Sequence, residues 1–133
     1  MLFTRATEYA LLSLIIIAKE EKPLGTEYLS KRLNISRSFL AKILQSLAKK
    51  GILISYKGAA GGFKLALPAE QISIKEIAHA AEGRSVSIFD CSTDQGACPS
   101  NQGDFCTLWP FLNRLQTKVD SYLEELTLKD IME

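Results

Sequence analysis

The segment TEYLSKRLNISRSFLAKILQSLAKKGILISYKGAAGGFKLALP, residues 26–68, carries two helix signals, a two-residue turn and a hairpin signal in succession. Thr26 can cap a short helix through Leu33. Ser36 can cap a second one running to Lys50, with Gly51 ending it at the C-cap position. Asn34 and Ile35 separate them, a turn short enough for a helix-turn-helix. After Gly51 the period changes. Ile52 to Tyr56 reads as a strand, Lys57 to Gly62 as a turn, and Phe63 to Leu67 as an alternating return strand before Pro68. A helix-turn-helix followed by a hairpin is a winged helix, so the fold class expected is mainly α, with a winged helix-turn-helix.

In the second helix, Leu40, Ile43, Leu44 and Leu47 recur at helical spacing and should face the core. That leaves Arg37, Ser38, Ala41, Lys42 and Gln45 on the outer face. Such side chains suit a DNA major groove: arginine forks onto guanine, glutamine pairs with adenine, and a small alanine permits close approach. The plainer alternative is a helix face solvated by lysines. At the hairpin, Lys57 and Lys64 beside glycines are placed to touch phosphates, although a simple turn explains the glycines equally well.

Charge distribution separates these alternatives. The formal net charge is +1, yet from Tyr28 through Ala69 there is no Asp or Glu, while Lys31, Arg32, Arg37, Lys42, Lys49, Lys50, Lys57 and Lys64 are all basic. The rest of the chain holds eight basic and fifteen acidic residues. One third of the sequence is therefore suited to a polyanion, and double-stranded DNA is the partner expected.

The remainder reads as helical. Ser73 and Glu76 form a capping box for a helix with Ile74, Ile77, Ala78 and Ala81 on one side and Gly83 as its stop. His79, the one histidine, falls off that face and reads as a solvated surface group. A long helix from about Leu108 to Leu126 carries Leu108, Phe111, Leu112, Leu115, Val119, Tyr122, Leu123 and Leu126 as an apolar stripe. It either completes the core or packs against its own copy across a two-fold axis. A homodimer is the reading adopted, because two-fold DNA binders set two recognition helices one turn of DNA apart. The apolar run Leu11 to Ala18 is too short for a bilayer, which needs ~20 such residues, and acidic or basic residues flank it without a cleavage site. A cytoplasmic protein without a membrane segment is expected.

Between Gly83 and Cys106 lies a polar stretch with little to bury, and it holds all three cysteines, Cys91, Cys98 and Cys106. A long structureless loop in a compact domain is usually functional or disordered. Thiolate bonds to an iron-sulfur cluster or a zinc ion would supply the binding energy that apolar burial cannot. In a reducing compartment three clustered cysteines favour metal binding or redox sensing over a structural disulfide. The organisation expected is a winged helix-turn-helix over residues 1–82, a cysteine loop over 83–106, and a dimerisation helix with its tail over 107–133.

The opening Leu2 to Leu11, the segment Ile35 to Leu44, the wing Gly58 to Ala66 and the three cysteines together resemble the IscR/NsrR-type family of bacterial winged-helix transcription regulators, over nearly the whole chain. The resemblance implies a homodimeric regulator, a repressor by expectation. Its long C-terminal helix would dimerise it, and Cys91, Cys98 and Cys106 would hold a 2Fe-2S or 4Fe-4S cluster sensing redox state, nitric oxide, iron or cluster status. Two features depart from the pattern. The cysteines are spaced slightly more widely than is common, and Trp109 stands where IscR-like members have a histidine ligand. NsrR-like members take an acidic ligand from the first helix of the other subunit, and the matching position is Glu8, so the partner subunit's Glu8 becomes a candidate ligand. Glu8 serving only a helix N-terminus is the alternative, and Asp90, Asp94 and Asp104 are further candidates.

Other functions are weighed against this one. Zinc, or oxidation of a thiol pair, could replace the cluster. A metal or redox enzyme is disfavoured: no Cys-x-x-Cys occurs, no phosphate-binding glycine loop precedes a helix, and one histidine leaves little for acid-base chemistry. No catalytic residue is therefore assigned. A winged helix that binds protein would lack the steep salt dependence of DNA binding.

Overall fold

In the computed structural model, which describes residues 3–89, 92 and 106–132, the chain order is helix, helix-turn-helix, hairpin, helix, and then a C-terminal helical pair. Helix α1 spans Arg5–Ala18. Its cap is Thr4, whose hydroxyl accepts from the Ala6 amide at 3.2 Å. The apolar run inside it is a buried helix face, with Ala10, Leu14 and Ile17 in the core.

Helix α2, Thr26–Leu33, starts one residue earlier than the capping expectation placed it. Gly25 occupies the cap position and Thr26 is the first helical residue. Asn34 then adopts a left-handed conformation at φ 55°, which asparagine tolerates and which turns the chain sharply. The Ser30 hydroxyl donates to the Ile35 carbonyl at 2.7 Å and closes that turn. Helix α3, Arg37–Lys49, is capped by Ser36 as expected, and Leu40, Ile43, Leu44 and Leu47 are all buried. Lys50 is its C-cap, and Gly51 follows at φ 84°, a backbone that favours glycine.

The wing is a two-stranded antiparallel hairpin, β1 (Leu53–Tyr56) and β2 (Gly62–Leu65), with Leu53 opposite Leu65 and Tyr56 opposite Gly62. Leu24, in the linker between α1 and α2, exchanges both backbone hydrogen bonds with Phe63, at 2.8 and 3.1 Å. The sheet therefore gains a one-residue third strand that no local pattern announced. A 3-10 turn at Ala69–Gln71 leads into α4, Ile74–Glu82, capped by Ser73. Ala78 and Ala80 are the buried alanines of α4, and Ala81 packs only partly against the core.

The C-terminal element is shorter than expected and is followed by another. Helix α5 covers Trp109–Glu125, and α6 covers Leu128–Ile131, closed by a capping box between Thr127 and Asp130. Leu126 and Leu128 hydrogen-bond Ile74 and Ile72 at 2.8 and 2.9 Å, which ties the C-terminal turn to the start of α4. One continuous core results, running from Leu14 and Leu29 through Leu44 and Ile77 to Leu123 and Leu128.

Glu82, at the end of α4, joins the two ends of the first unit. Its carboxylate accepts from the Thr4 amide at 3.0 Å, from the Thr4 hydroxyl and from the Thr7 hydroxyl at 2.7 Å. Burial pushes this carboxyl up, but those hydrogen bonds, with the positive charge of Arg84, outweigh it and hold it below the ordinary range. A depressed folded-state pKa stabilises above the unfolded value, and the benefit disappears as pH falls through the folded value. The stability gap between wild type and Glu82→Gln is therefore expected to be widest near neutral pH and to close in acid. Urea unfolding of both proteins across a pH series checks this, and a gap independent of pH would refute it.

Candidate nucleic-acid interface and cysteine loop

Helix α3 turns its apolar stripe inward, so the opposite face is open by geometry. Arg37, Ser38, Lys42 and Gln45 are all exposed, and Ala41 is half-buried between them. The Ser38 hydroxyl lies 3.1 Å from that of Ser36, within the cap, while Arg37, Lys42 and Gln45 make no ion pair or hydrogen bond to a described residue. Lys57 follows β1, exposed, and Lys64 sits on β2 opposite Ile54, half-exposed. Two of the basic residues between Tyr28 and Ala69 are engaged: Lys31 pairs with Glu27 at 3.4 Å, and Arg32 donates to the Tyr28 hydroxyl at 3.0 Å. Both contacts lie within α2, so among the described residues the charge of α3 and the wing is left without an ion-pair partner, an arrangement that attracts a polyanion.

Phe39 has no counterpart in the sequence reading. It stands on α3 beside Ser38, 43 % exposed, with its ring edge-to-face against Tyr9 of α1 at 5.7 Å. Glu8 precedes Tyr9, is exposed, and pairs with Arg5 at 2.8 Å. Tyr9, next to the candidate ligand on α1, thus meets α3 through an aromatic contact.

Of the three cysteines, Cys91 and Cys98 lie outside the described residues, as do Asp90, Asp94 and Asp104. Cys106 is half-buried, with a free thiol, two residues before the Leu108 cap of α5. Trp109 opens that helix. Among the described residues no three His, Cys, Asp or Glu side chains gather to hold a metal. By its chemistry the donor set still suits an iron-sulfur centre: three thiols within sixteen residues of sequence, with a carboxylate rather than an imidazole as the further candidate.

The first flank of the loop is fastened to α5 by a residue that the apolar stripe concealed. Gln116 is 2 % exposed and uses its whole hydrogen-bonding capacity. Its Oε1 accepts from the Ile88 amide at 2.8 Å and from the Ser92 hydroxyl at 2.7 Å. Its Nε2 donates to the Val86 carbonyl at 3.0 Å and to the Asp120 carboxylate at 2.9 Å. Asn113, one turn earlier, donates to the Ser92 carbonyl at 3.0 Å, and Ser92 is fully buried. The signal in the sequence was a glutamine inside the run Leu112, Val119, Leu123.

Next to that polar strip and the buried Leu112 and Leu123, α5 presents Leu108, Phe111, Leu115 and Tyr122 to solvent, with Phe111 51 % and Tyr122 61 % exposed. An apolar groove of about 520 Å³, lined by Phe3, Leu11, Val119, Tyr122 and Leu126 among others, continues this surface. Among the described residues no helix is long and apolar enough to cross a membrane.

Comparison with known proteins agrees with this architecture. The Rrf2 family, described as iron-dependent transcriptional regulators, matches residues 3–133. The HTH-type transcriptional regulator IscR of Aliivibrio salmonicida is 27 % identical over 134 residues, covering 99 % of this chain and 77 % of that protein. CymR, the global cysteine regulator of B. subtilis, superposes with a TM-score of 0.73 at 25 % identity, over 97 % of this chain and 94 % of its own. The oxidized form of Staphylococcus aureus CymR does so with a TM-score of 0.72 at 25 % identity, over 98 % and 95 %. With the winged helix, the acid-free basic face and a family match along almost its full length, the chain belongs to the Rrf2 family of transcriptional regulators.

Proposed function

We propose that this regulator binds operator DNA as a homodimer, represses by doing so, and adjusts its affinity through an iron-sulfur cluster held on the loop of residues 83–106. Arg37, Ser38, Lys42 and Gln45 would enter the major groove, with Lys57 and Lys64 on the backbone. Cys91, Cys98 and Cys106 would hold the cluster, and the partner subunit's Glu8 is the fourth ligand proposed. The observation that carries the reading is the seating of both described flanks of the cysteine loop on α5, Ser92 against Gln116 and Asn113, and Cys106 just before the helix begins. A donor set beside a helix whose outer face is apolar and bare suits a signal relayed through a dimer contact. The family's description as iron-dependent supports the metal.

When bound, an iron-sulfur cluster supplies a group whose charge and integrity change with redox state or nitric oxide. The chain's own contribution is positional. Glu8 shares α1 with Tyr9, which meets Phe39 of α3, so a ligand bond made or broken at Glu8 would load the helix that faces DNA. Residues 1–82 then act as the DNA reader, 83–106 as the sensor, and 107–133 as the dimer contact and tail.

Protein purified without air tests the proposal. Expected are the molar mass of two chains, visible iron-sulfur absorbance and acid-labile sulfide, all of the absorbance being lost in Cys106→Ala. Loss in Glu8→Ala supports the cross-subunit ligand, and an unchanged spectrum there returns Glu8 to its pairing with Arg5. A second reading, in which thiol oxidation or zinc replaces the cluster, draws on the likeness to CymR, which has a solved oxidized form. Zinc, or reversible thiol loss on oxidation, found without sulfide would select it.

A further inference from the structure

A buried glutamine with four partners, three of them in one short segment, is more than a packing residue. Residues Val86 to Phe89, and Ser92, join no helix or sheet, so their backbone groups need partners from elsewhere. Gln116 supplies two, accepting from the Ile88 amide and donating to the Val86 carbonyl. It also accepts from the hydroxyl of Ser92, a residue whose backbone amide donates to the Phe89 carbonyl at 3.0 Å. Asp120, one turn further along α5, takes the remaining Nε2 hydrogen and fixes the amide's orientation. Every one of these groups lies on one side of α5, next to Leu112 and Leu123, which anchor the helix in the core.

We infer that Gln116 is the positioning residue for the first flank of the sensor loop: it fixes Val86, Ile88 and Ser92, the last of them the sequence neighbour of Cys91, to α5. This inference rests on the proposed sensing role of the loop and deepens it. Ser92 follows Cys91 directly in the sequence, so losing its seat is expected to reach the first of the proposed ligands. Outer-shell partners of this kind, which orient a ligand without touching the metal, commonly change metal affinity by about 10–100-fold when removed. The same helix bears Phe111 and Tyr122 on its bare apolar side. Loop geometry and the surface proposed for dimerisation are therefore parts of one rigid element, with Gln116 as the link between them.

The test uses the full chain in two variants. Gln116→Leu keeps the volume and removes all four hydrogen bonds; Ser92→Ala removes the hydroxyl's bond to Gln116 together with its contacts to the Phe89 carbonyl and amide, and leaves the other three bonds of Gln116 in place. Each is measured metal-free, by hydrogen exchange at the Ile88 amide and by iodoacetamide labelling of the individual cysteines. Each is then reconstituted without air using ferrous iron and sulfide, and followed by visible circular dichroism and by the rate of bleaching with a chelator.

In Gln116→Leu the Ile88 amide should exchange roughly tenfold faster or more, Cys91 should label at an altered rate relative to Cys106, and bleaching should accelerate by about tenfold. Amides of α3 around Leu44 should keep wild-type exchange. Ser92→Ala should shift the dichroism and the bleaching rate in the same direction by a smaller factor. If Gln116→Leu loosens the whole protein, Ser92→Ala decides: wild-type labelling and dichroism in it overturn the inference. Loop exchange and labelling unchanged in both variants overturn it as well. If wild-type protein takes up neither iron nor sulfide, the cluster reading falls, while exchange and labelling still decide whether Gln116 holds the loop.

Discussion

Replacing Arg37 and Lys42 together by alanine is expected to weaken binding to duplex DNA by at least about 30-fold while leaving the fold intact. The magnitude follows from two contacts at roughly 1–3 kcal/mol each, with about 1.4 kcal/mol corresponding to a factor of ten. Both side chains are exposed and make no contact that the fold uses, and alanine is the best helix former, so stability should change by less than about 0.5 kcal/mol. The measurement is affinity for the duplex that wild-type protein selects from a random-sequence pool, taken over a salt series. The slope of log affinity against log salt should become shallower by roughly one for each phosphate that the variant no longer neutralises. Unchanged affinity with an intact melting curve would move the DNA surface away from α3.

The largest expected effect on stability comes from a single methyl group at the wing. Gly62 sits at φ 141°, where a Cβ would lie 2.5 Å from the Leu24 carbonyl carbon and 2.6 Å from its oxygen. Backbone cannot yield there as a flexible side chain would, because Leu24 is held by both hydrogen bonds to Phe63. Gly62→Ala therefore combines backbone strain of ~1–3 kcal/mol with weakening of two hydrogen bonds worth ~1 kcal/mol each. A loss of about 3–5 kcal/mol, and a melting temperature lower by roughly 10–20 °C, is expected. Gly25→Ala is the matched control: it has open space around its Cβ and should cost less than about 1 kcal/mol. Equal melting temperatures for the two variants would show that the Leu24 contact does not brace the wing.

Much of this molecule was readable locally. Ser36 and Ser73 cap the helices they were expected to cap, the spacing of Leu40, Ile43, Leu44 and Leu47 named the buried face of α3, and the glycines placed the wing turn. The exposure of Arg37, Ser38, Lys42 and Gln45 on the outer face of α3 followed from the same periodicity. What failed did so for tertiary reasons. Thr26 gave way to Gly25 at the cap of α2, next to the backbone bridge of Leu24 to Phe63. The stripe on α5 proved to be three strips: a buried edge at Leu112 and Leu123, a polar strip at Asn113, Gln116 and Asp120, and an exposed apolar strip at Phe111, Leu115 and Tyr122. Periodicity finds a helix face but does not say what will cover it.

The sequence by itself determined the winged helix-turn-helix, its basic face and the presence of three thiols within one polar stretch, because caps, turns, helical spacing and charge are properties of neighbours along the chain. Only the tertiary structure decided the anchoring of Glu82 to Thr4 and Thr7, the close approach of Gly62 to Leu24, and the seat of Ser92 on Gln116. Each joins residues far apart in sequence, and each depends on a buried polar group or backbone atom finding a partner. Such partners are chosen by how the helices pack, which no local pattern records.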